Sequence, residues 1–436
     1  MGIATDSPGT KRDRAVIASL VLMLFVFCGP VSAEFPVAVG NPQRSVYVAA
    51  SGPRQKPEVL WERGLGVRGF SDTQPILDAE GNLYVTASPE NQKSWTFSEQ
   101  PRGTLVSLDP QGAVRWRYDW TWDAKRQNTW SHLTGPILLK QDLIAMGSRF
   151  GWLRCWNRNT GNLIWEQRLT PGNDPITSTP MADNDGNIYV HVRDVPTLRK
   201  VDGATGQYLW IHRFGDGSIG NTSSPTLSAD QKTVYIGRTT RDVGYLYAIN
   251  TDVGSLKWAW SPEKARGHSF AWGIPILDRQ GTIYLQDEEF AALYAVRDLG
   301  QVHQFQWSYK PTGKGLPRLA AVNEEAYFSS YNSPAPVVFS VTHAGVERWS
   351  RKFEKGNSIG GMLVTQDTLY FGVNGTGRVF AMDAKTGEIL WQKQVGRPDA
   401  GFSEGLTLNK KGILYVPVSA TDAHPDEPSV VALKGR

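Results

Sequence analysis

Ala381-Met382-Asp383-Ala384-Lys385-Thr386-Gly387-Glu388-Ile389-Leu390-Trp391 is the stretch on which the fold turns. Asp383 stands where a strand should end, with a short carboxylate able to accept the N–H groups of the turn that follows. Gly387, four residues before the tryptophan, suits a positive φ that other residues adopt only under strain. A second strand then carries an indole. The same order recurs as Lys200-Val201-Asp202-Gly203-Ala204-Thr205-Gly206-Gln207-Tyr208-Leu209-Trp210, and again in the runs Cys155 to Trp165 and Ala248 to Trp258. Looser copies end at Trp116, Trp307 and Trp349.

With Trp61 included, the series is Trp61, Trp116, Trp165, Trp210, Trp258, Trp307, Trp349 and Trp391, spaced 42 to 55 residues apart. Periods of this length mark repeat architectures. Upstream of each copy lie two more apolar runs, such as Pro75-Ile76-Leu77-Asp78 followed by Asn82-Leu83-Tyr84-Val85-Thr86. Four short strands per repeat make a propeller blade. A large flat ring at the same place in every blade can lie across the seam to its neighbour and donate its N–H. The expected fold is therefore all-β, an eight-bladed β-propeller.

The ends of the chain complete each other. After Trp391 come three strand-like runs, at Gly405 to Leu408, Gly412 to Val416 and Ser429 to Leu433, with no tryptophan to follow. Val59-Leu60-Trp61-Glu62-Arg63 reads as a fourth strand with no blade before it. Joined, they form the eighth blade, which leaves no open sheet edge at the junction.

Lys11, Arg12 and Arg14, the apolar run Ala15 to Cys28, and Val31-Ser32-Ala33 have the three parts of a secretory signal peptide cleaved before Glu34. The apolar run is shorter than a membrane-spanning helix requires. Phe27 stands before Cys28, where lipoprotein processing favours a small residue. The expected organisation is a signal peptide over 1–33 and one propeller over 34–436, secreted or periplasmic, monomeric, and not transmembrane after processing. Beyond Cys28 the chain holds only Cys155, so no internal disulfide is expected. Lys and Arg number 46 against 42 Asp and Glu, too even a balance to favour nucleic acid or an anionic membrane surface.

The Asp-x-x-Thr-Gly-x-x-x-Trp units resemble the tryptophan-docking motif of the pyrroloquinoline quinone (PQQ) repeat family, over nearly all of 34–436. The resemblance implies the propeller. For function it implies two possibilities, since the family holds both quinoprotein dehydrogenases and non-catalytic propellers such as the outer-membrane assembly lipoprotein of the Bam complex. The dehydrogenases imply adjacent cysteines near the quinone, Ca²⁺ or a lanthanide held by carboxylate and amide, and an Asp base. The chain has no Cys-Cys pair and no Cys-x-x-Cys-His, and no stretch matches the metal or base residues. No cofactor and no metal are expected, with PQQ and Ca²⁺ as the alternative.

Loops leading into the innermost strands of a propeller ring the channel mouth. There the sequence offers Asp72, His132, Asn221, His268, Trp272, Arg318 and Glu404 as candidate ligand-binding groups. Trp272 or Trp130 could stack on a planar ring, and Arg318 or His268 could polarise an oxygen. No nucleophile elbow, zinc His pair or phosphate loop is present. Asp183-Asn184-Asp185-Gly186-Asn187 has calcium-loop residues without the distal Glu, and reads as a hairpin turn. Trp120, Trp122 and Trp130 crowd one loop and suit stacking on a glycan or a partner chain. The sequence favours a non-catalytic scaffold binding a protein or glycan through its loop face. The alternatives are a PQQ-dependent or related oxidoreductase, and a propeller that binds or processes polysaccharide.

Overall fold

Among the described residues there are eight antiparallel sheets, one per repeat, and in seven of them the strands follow one another in the chain. The computed structural model describes residues 41–66, 73–87, 103–120, 134–148, 151–170, 176, 178–193, 195–215, 221–240, 243–262, 267–270, 273–287, 289–311, 316–322, 325–331, 335–402, 405–419 and 428–435. Blades 1 to 7 span 76–120, 137–168, 181–213, 221–260, 276–309, 316–352 and 358–394. Blade 8 combines 401–434 with the strand Glu58–Gly64. That strand pairs with Ser429–Lys434 in the register Glu58↔Lys434 through Gly64↔Ser429, so the ring closes as the sequence implied. The second and third strands of the blades are the apolar ones; Leu83–Ala87 and Gly103–Leu108 are buried along their whole length.

The motif tryptophan stands on the outermost strand, and in all eight blades the ladder slips by one residue just before it. Such a bulge bends a strand and re-aims its side chains. At Leu60, Ile164 and Leu209 it leaves the residue before the tryptophan exposed. The indole N–H crosses the seam. Trp61, Trp116, Trp165, Trp210, Trp307, Trp349 and Trp391 donate to the carbonyls of Pro110, Arg158, Gly203, Thr251, His343, Ala384 and Pro53 at 2.7–3.1 Å. Trp258 donates instead to the Asp298 carboxylate at 2.8 Å.

The motif glycine faces the indole of the preceding blade, not its own. A Cβ built on Gly161 would lie 2.7 Å from the Trp116 ring, and one on Gly387 2.7 Å from Trp349. Glycine thus answers two demands at once, a φ of 73–75° at these positions and backbone contact with a ring. Asp383 caps its turn as expected, its Oδ1 accepting from the N–H groups of Lys385 and Thr386.

Ahead of Glu58, residues 41–53 form a strap along the channel that the sequence did not signal. Leu227 and Leu277, at the ends of innermost strands, donate to the carbonyls of Pro42 and Gln43, while Val46 and Val48 exchange hydrogen bonds with Val364. Arg44 is fully buried and donates to the carbonyls of Pro225, Thr179 and Pro180 at 2.8–3.2 Å. Its partners lie in blades 3 and 4, and Val364 in blade 7, opposite blade 3, so the strap crosses the channel at the end where the hairpin turns sit. Beyond it, Gly52 passes over Tyr370 so closely that an added Cβ would lie 2.5 Å from the phenol oxygen. Pro53 then presents the carbonyl that receives Trp391.

Candidate functional site

At the opposite, loop-bearing mouth, His268 is the sequence-predicted candidate whose side chain the structure describes. It precedes the first strand of blade 5, and its Nδ1 is hydrogen-bonded to the Asp287 carboxylate. The other Asp287 oxygen accepts from the N–H groups of Ser269, Glu289 and Phe290 at 3.1–3.2 Å. One carboxylate therefore caps a turn and fixes an imidazole. The ring stacks on Phe290 at 4.2 Å and is 4 % exposed. Phe270, Tyr294 and Trp260 continue the aromatic cluster, and burial beside Asp287 pushes the Tyr294 phenol up to about 12. His268 is thereby built into the wall of the blade.

Asn221 and Arg318 lie on innermost strands of blades 4 and 6, opposite Thr239 and Ser329. Trp120 ends the outer strand of blade 1 opposite Gly103. The side chains of these three, and Asp72, His132, Trp272, Glu404, Trp122 and Trp130 altogether, lie outside the described residues. Asp183 is part of a hairpin: its carboxylate accepts from the N–H groups of Asp185 and Asn187, the Asn187 amide and the Tyr189 hydroxyl at 2.8–3.1 Å. Among the described residues, no group of three His, Cys, Asp or Glu is placed to hold a metal. Cys155 is buried in blade 2, which pushes its thiol up to about 12.

On the turn-bearing face a set of groups recurs that the sequence analysis passed over. Tyr84, Tyr189 and Tyr284, six residues after Asp78, Asp183 and Asp278, donate to those carboxylates at 2.8–3.1 Å and pack beside the tryptophan of their own blade. Burial and the adjacent carboxylate push all three phenols up. A cationic or imidazole group completes each cluster: Arg158 lies 3.2 Å from Asp78, Lys200 3.5 Å from Asp183 and His343 3.3 Å from Asp278. The Asp-to-Tyr spacing is visible in the sequence and could have marked these seams.

A sequence model of the family described as outer membrane protein assembly factor BamB matches residues 101–310 and 300–424. The chain belongs to this family. BamB of Shewanella oneidensis is 20% identical over 348 residues, covering 77% of this chain and 70% of the relative. Among solved structures, BamB from Moraxella catarrhalis superposes with a TM-score of 0.61 at 16% identity, over 87% of this chain and 100% of that one. Quinohemoprotein alcohol dehydrogenase from Comamonas testosteroni gives 0.68 at 14% identity, over 93% and 81%. At such identities the two superpositions speak for the propeller alone, which BamB-family chains and quinone enzymes share. Among the described residues no helix is long and apolar enough to cross a membrane.

Proposed function

We propose that this chain is an exported, non-catalytic member of the BamB family that serves outer-membrane protein assembly by binding another protein through its loop face. The observation that carries this reading is the family match across 101–424, which takes in parts of every blade. The tryptophan-locked seams support it, because a disc with fixed seams presents its loops as one preorganised surface at low entropic cost. The tryptophans of the Trp120 to Trp130 loop are the natural anchors, since large rigid aromatics dominate protein contacts. Export rests on the leader read in residues 1–33.

The test is photo-crosslinking in the envelope of the source cell. A chain carrying both Trp122→Ala and Trp130→Ala should keep its melting temperature and lose crosslinks to the outer-membrane assembly machinery, with a fall in folded outer-membrane protein. Unchanged crosslinks and unchanged protein levels would refute the reading. Mass spectrometry of the purified protein should find Glu34 at the N-terminus.

A quinone cofactor is no part of this reading. PQQ chemistry needs the ring held flat with a group polarising its carbonyl. His268, the described candidate for that task, has its Nδ1 committed to Asp287 and its ring face to Phe290. Calorimetric titration with PQQ and Ca²⁺ should give no stoichiometric binding, and submicromolar binding would favour an oxidoreductase instead.

A further inference from the structure

One piece of chain joins the channel to the closure of the ring. The strap of residues 41–53 runs on into the strand Glu58–Gly64 that completes blade 8. At its channel end the anchor is Arg44, fully buried, with Nε donating to the Pro225 carbonyl at 2.8 Å and Nη2 to the Thr179 carbonyl at 2.9 Å. At its rim end the Pro53 carbonyl accepts from two side chains, the Trp391 indole at 2.7 Å and the Tyr370 hydroxyl at 3.3 Å. The other seven motif tryptophans dock within the next blade. Trp391 docks on the strap, so its seam is the one that a movement of the strap would unlock.

The backbone at the channel end is strained. Arg44 and Val46 both take left-handed conformations, with φ of 51° and 52°, a region that a β-branched residue enters only where its surroundings force it. Here the force comes from contacts on both sides of the kink. Arg44 grips blades 3 and 4, while in blade 7 the Val364 N–H donates to the Val46 carbonyl at 3.1 Å and the Val364 carbonyl accepts from Val48 at 2.9 Å. With the Arg44 grip removed, one side of the kink is free, and relaxation of Val46 turns its carbonyl away from Val364.

Little slack lies between the kink and Pro53, which stands nine residues after Arg44. The Ser51 carbonyl lies 2.9 Å from where a Cβ on Gly412 would stand, and Gly52 is pressed against Tyr370. A shift begun at Arg44 is therefore passed along the strap to Pro53.

We propose that the strap is a latch coupling the channel to ring closure, with Arg44 as its bolt. Withdrawing Arg44 from the channel displaces the Pro53 carbonyl, undocks Trp391 and loosens the closing strand at the rim. The anchor lies in blades 3 and 4, yet the element it governs is in blade 8. The latch concerns the ring itself and holds whether or not the loop face binds a partner.

Hydrogen exchange read by mass spectrometry on the full protein tests it. Arg44→Met should quicken exchange in Glu58–Gly64 and Ser429–Lys434 at least about tenfold more than in Glu347–Lys352, the outer strand of blade 6. Arg44→Lys, which keeps the cation and loses the fork, should act on the same strands to a smaller degree, and it carries the test if the methionine variant does not fold. A double-mutant cycle on the urea midpoint supplies a second readout. Trp391→Phe, which removes the N–H donor, should lower the midpoint of the parent protein, and in Arg44→Met lower it less than about half as far. Trp116→Phe, whose acceptor Arg158 lies in blade 2, should lower both midpoints equally. Exchange that rises equally in all three strands, a rise absent from Glu58–Gly64, or a Trp391→Phe shift of full size in Arg44→Met would each overturn the proposal.

Discussion

Blade 3 and blade 8 reach the same architecture by different routes. All four strands of blade 3 come from 181–213, and the turn Asp202 to Gly206 joins its last two. Blade 8 takes three strands from 401–434 and its fourth from Glu58–Gly64, so no turn joins its last two. Both have the bulge before the tryptophan and both send an indole to the next blade. Both also receive one. Trp165 docks on Gly203 of blade 3's turn, whereas Trp391 docks on Pro53, in the segment that runs on into the fourth strand of blade 8. The docking site is thus a correctly placed carbonyl beside closely approaching backbone. A particular turn sequence is one way to supply it.

The strongest way to break this comparison is to remove residues 57–64. The third strand of blade 8 would be left as an open edge, and the protein should aggregate and lose cooperative melting. A deletion that melts at an unchanged temperature would show that blade 8 needs no fourth strand. Next, Trp391→Ala should cost about 3–5 kcal/mol in urea denaturation, as expected for deleting a buried aromatic. Trp165→Ala should cost a similar amount if a carbonyl on the strap is equivalent to one in a turn, and a much smaller loss for Trp391→Ala would mark the composite blade as the softer.

Arg44→Met should cost about 2–4 kcal/mol, because it strips a buried cation from three carbonyls in blades 3 and 4. A neutral result would separate the strap from ring closure. The smallest effect, taken over a single pH unit, belongs to blade 3 alone. Burial, with Arg238 and Arg199 near, lowers the His191 imidazole from 6.5 to about 3. Between those values the unfolded chain binds a proton that the folded chain refuses, so stability should fall as pH drops from 6.5 toward 3, by at most about 1.4 kcal/mol per pH unit. His191→Gln should flatten the pH dependence of the urea midpoint by that amount.

The ring and its closure were legible in the sequence because each blade repeats a demand that few residues meet. A turn needs Asp or Asn with a glycine, and a seam needs an indole. The direction of the glycine contact was not legible: Gly387 and Trp391 are four residues apart, yet Gly387 packs on Trp349 of the preceding blade. Nor was the bulge, since a ladder slip leaves no residue type behind, only the exposed Leu60, Ile164 and Leu209. The strap escaped for a related reason. Four of its hydrogen bonds to the blades run backbone to backbone, and Arg44 looks in sequence like any surface arginine. His268 was read from its position at a loop, but its partner Asp287 stands at the far end of a strand, and only folding reveals that the pair belongs to the wall.

The register from Glu58↔Lys434 to Gly64↔Ser429 also sets an order of events. Chains are synthesised from the N-terminus and tend to fold in that direction, but here the opening strand has no mate until the final one has been made. Every intermediate on the way holds two sticky edges that the finished molecule hides, a hazard for a nascent chain and a reason for it to need a holding factor. The same delay works in reverse once the ring is shut. Neither end can fray by itself, because each is stitched to the other, and disassembly must begin by unzipping both together. The molecule should then owe its persistence as much to slow opening as to a favourable balance of folded over unfolded forms.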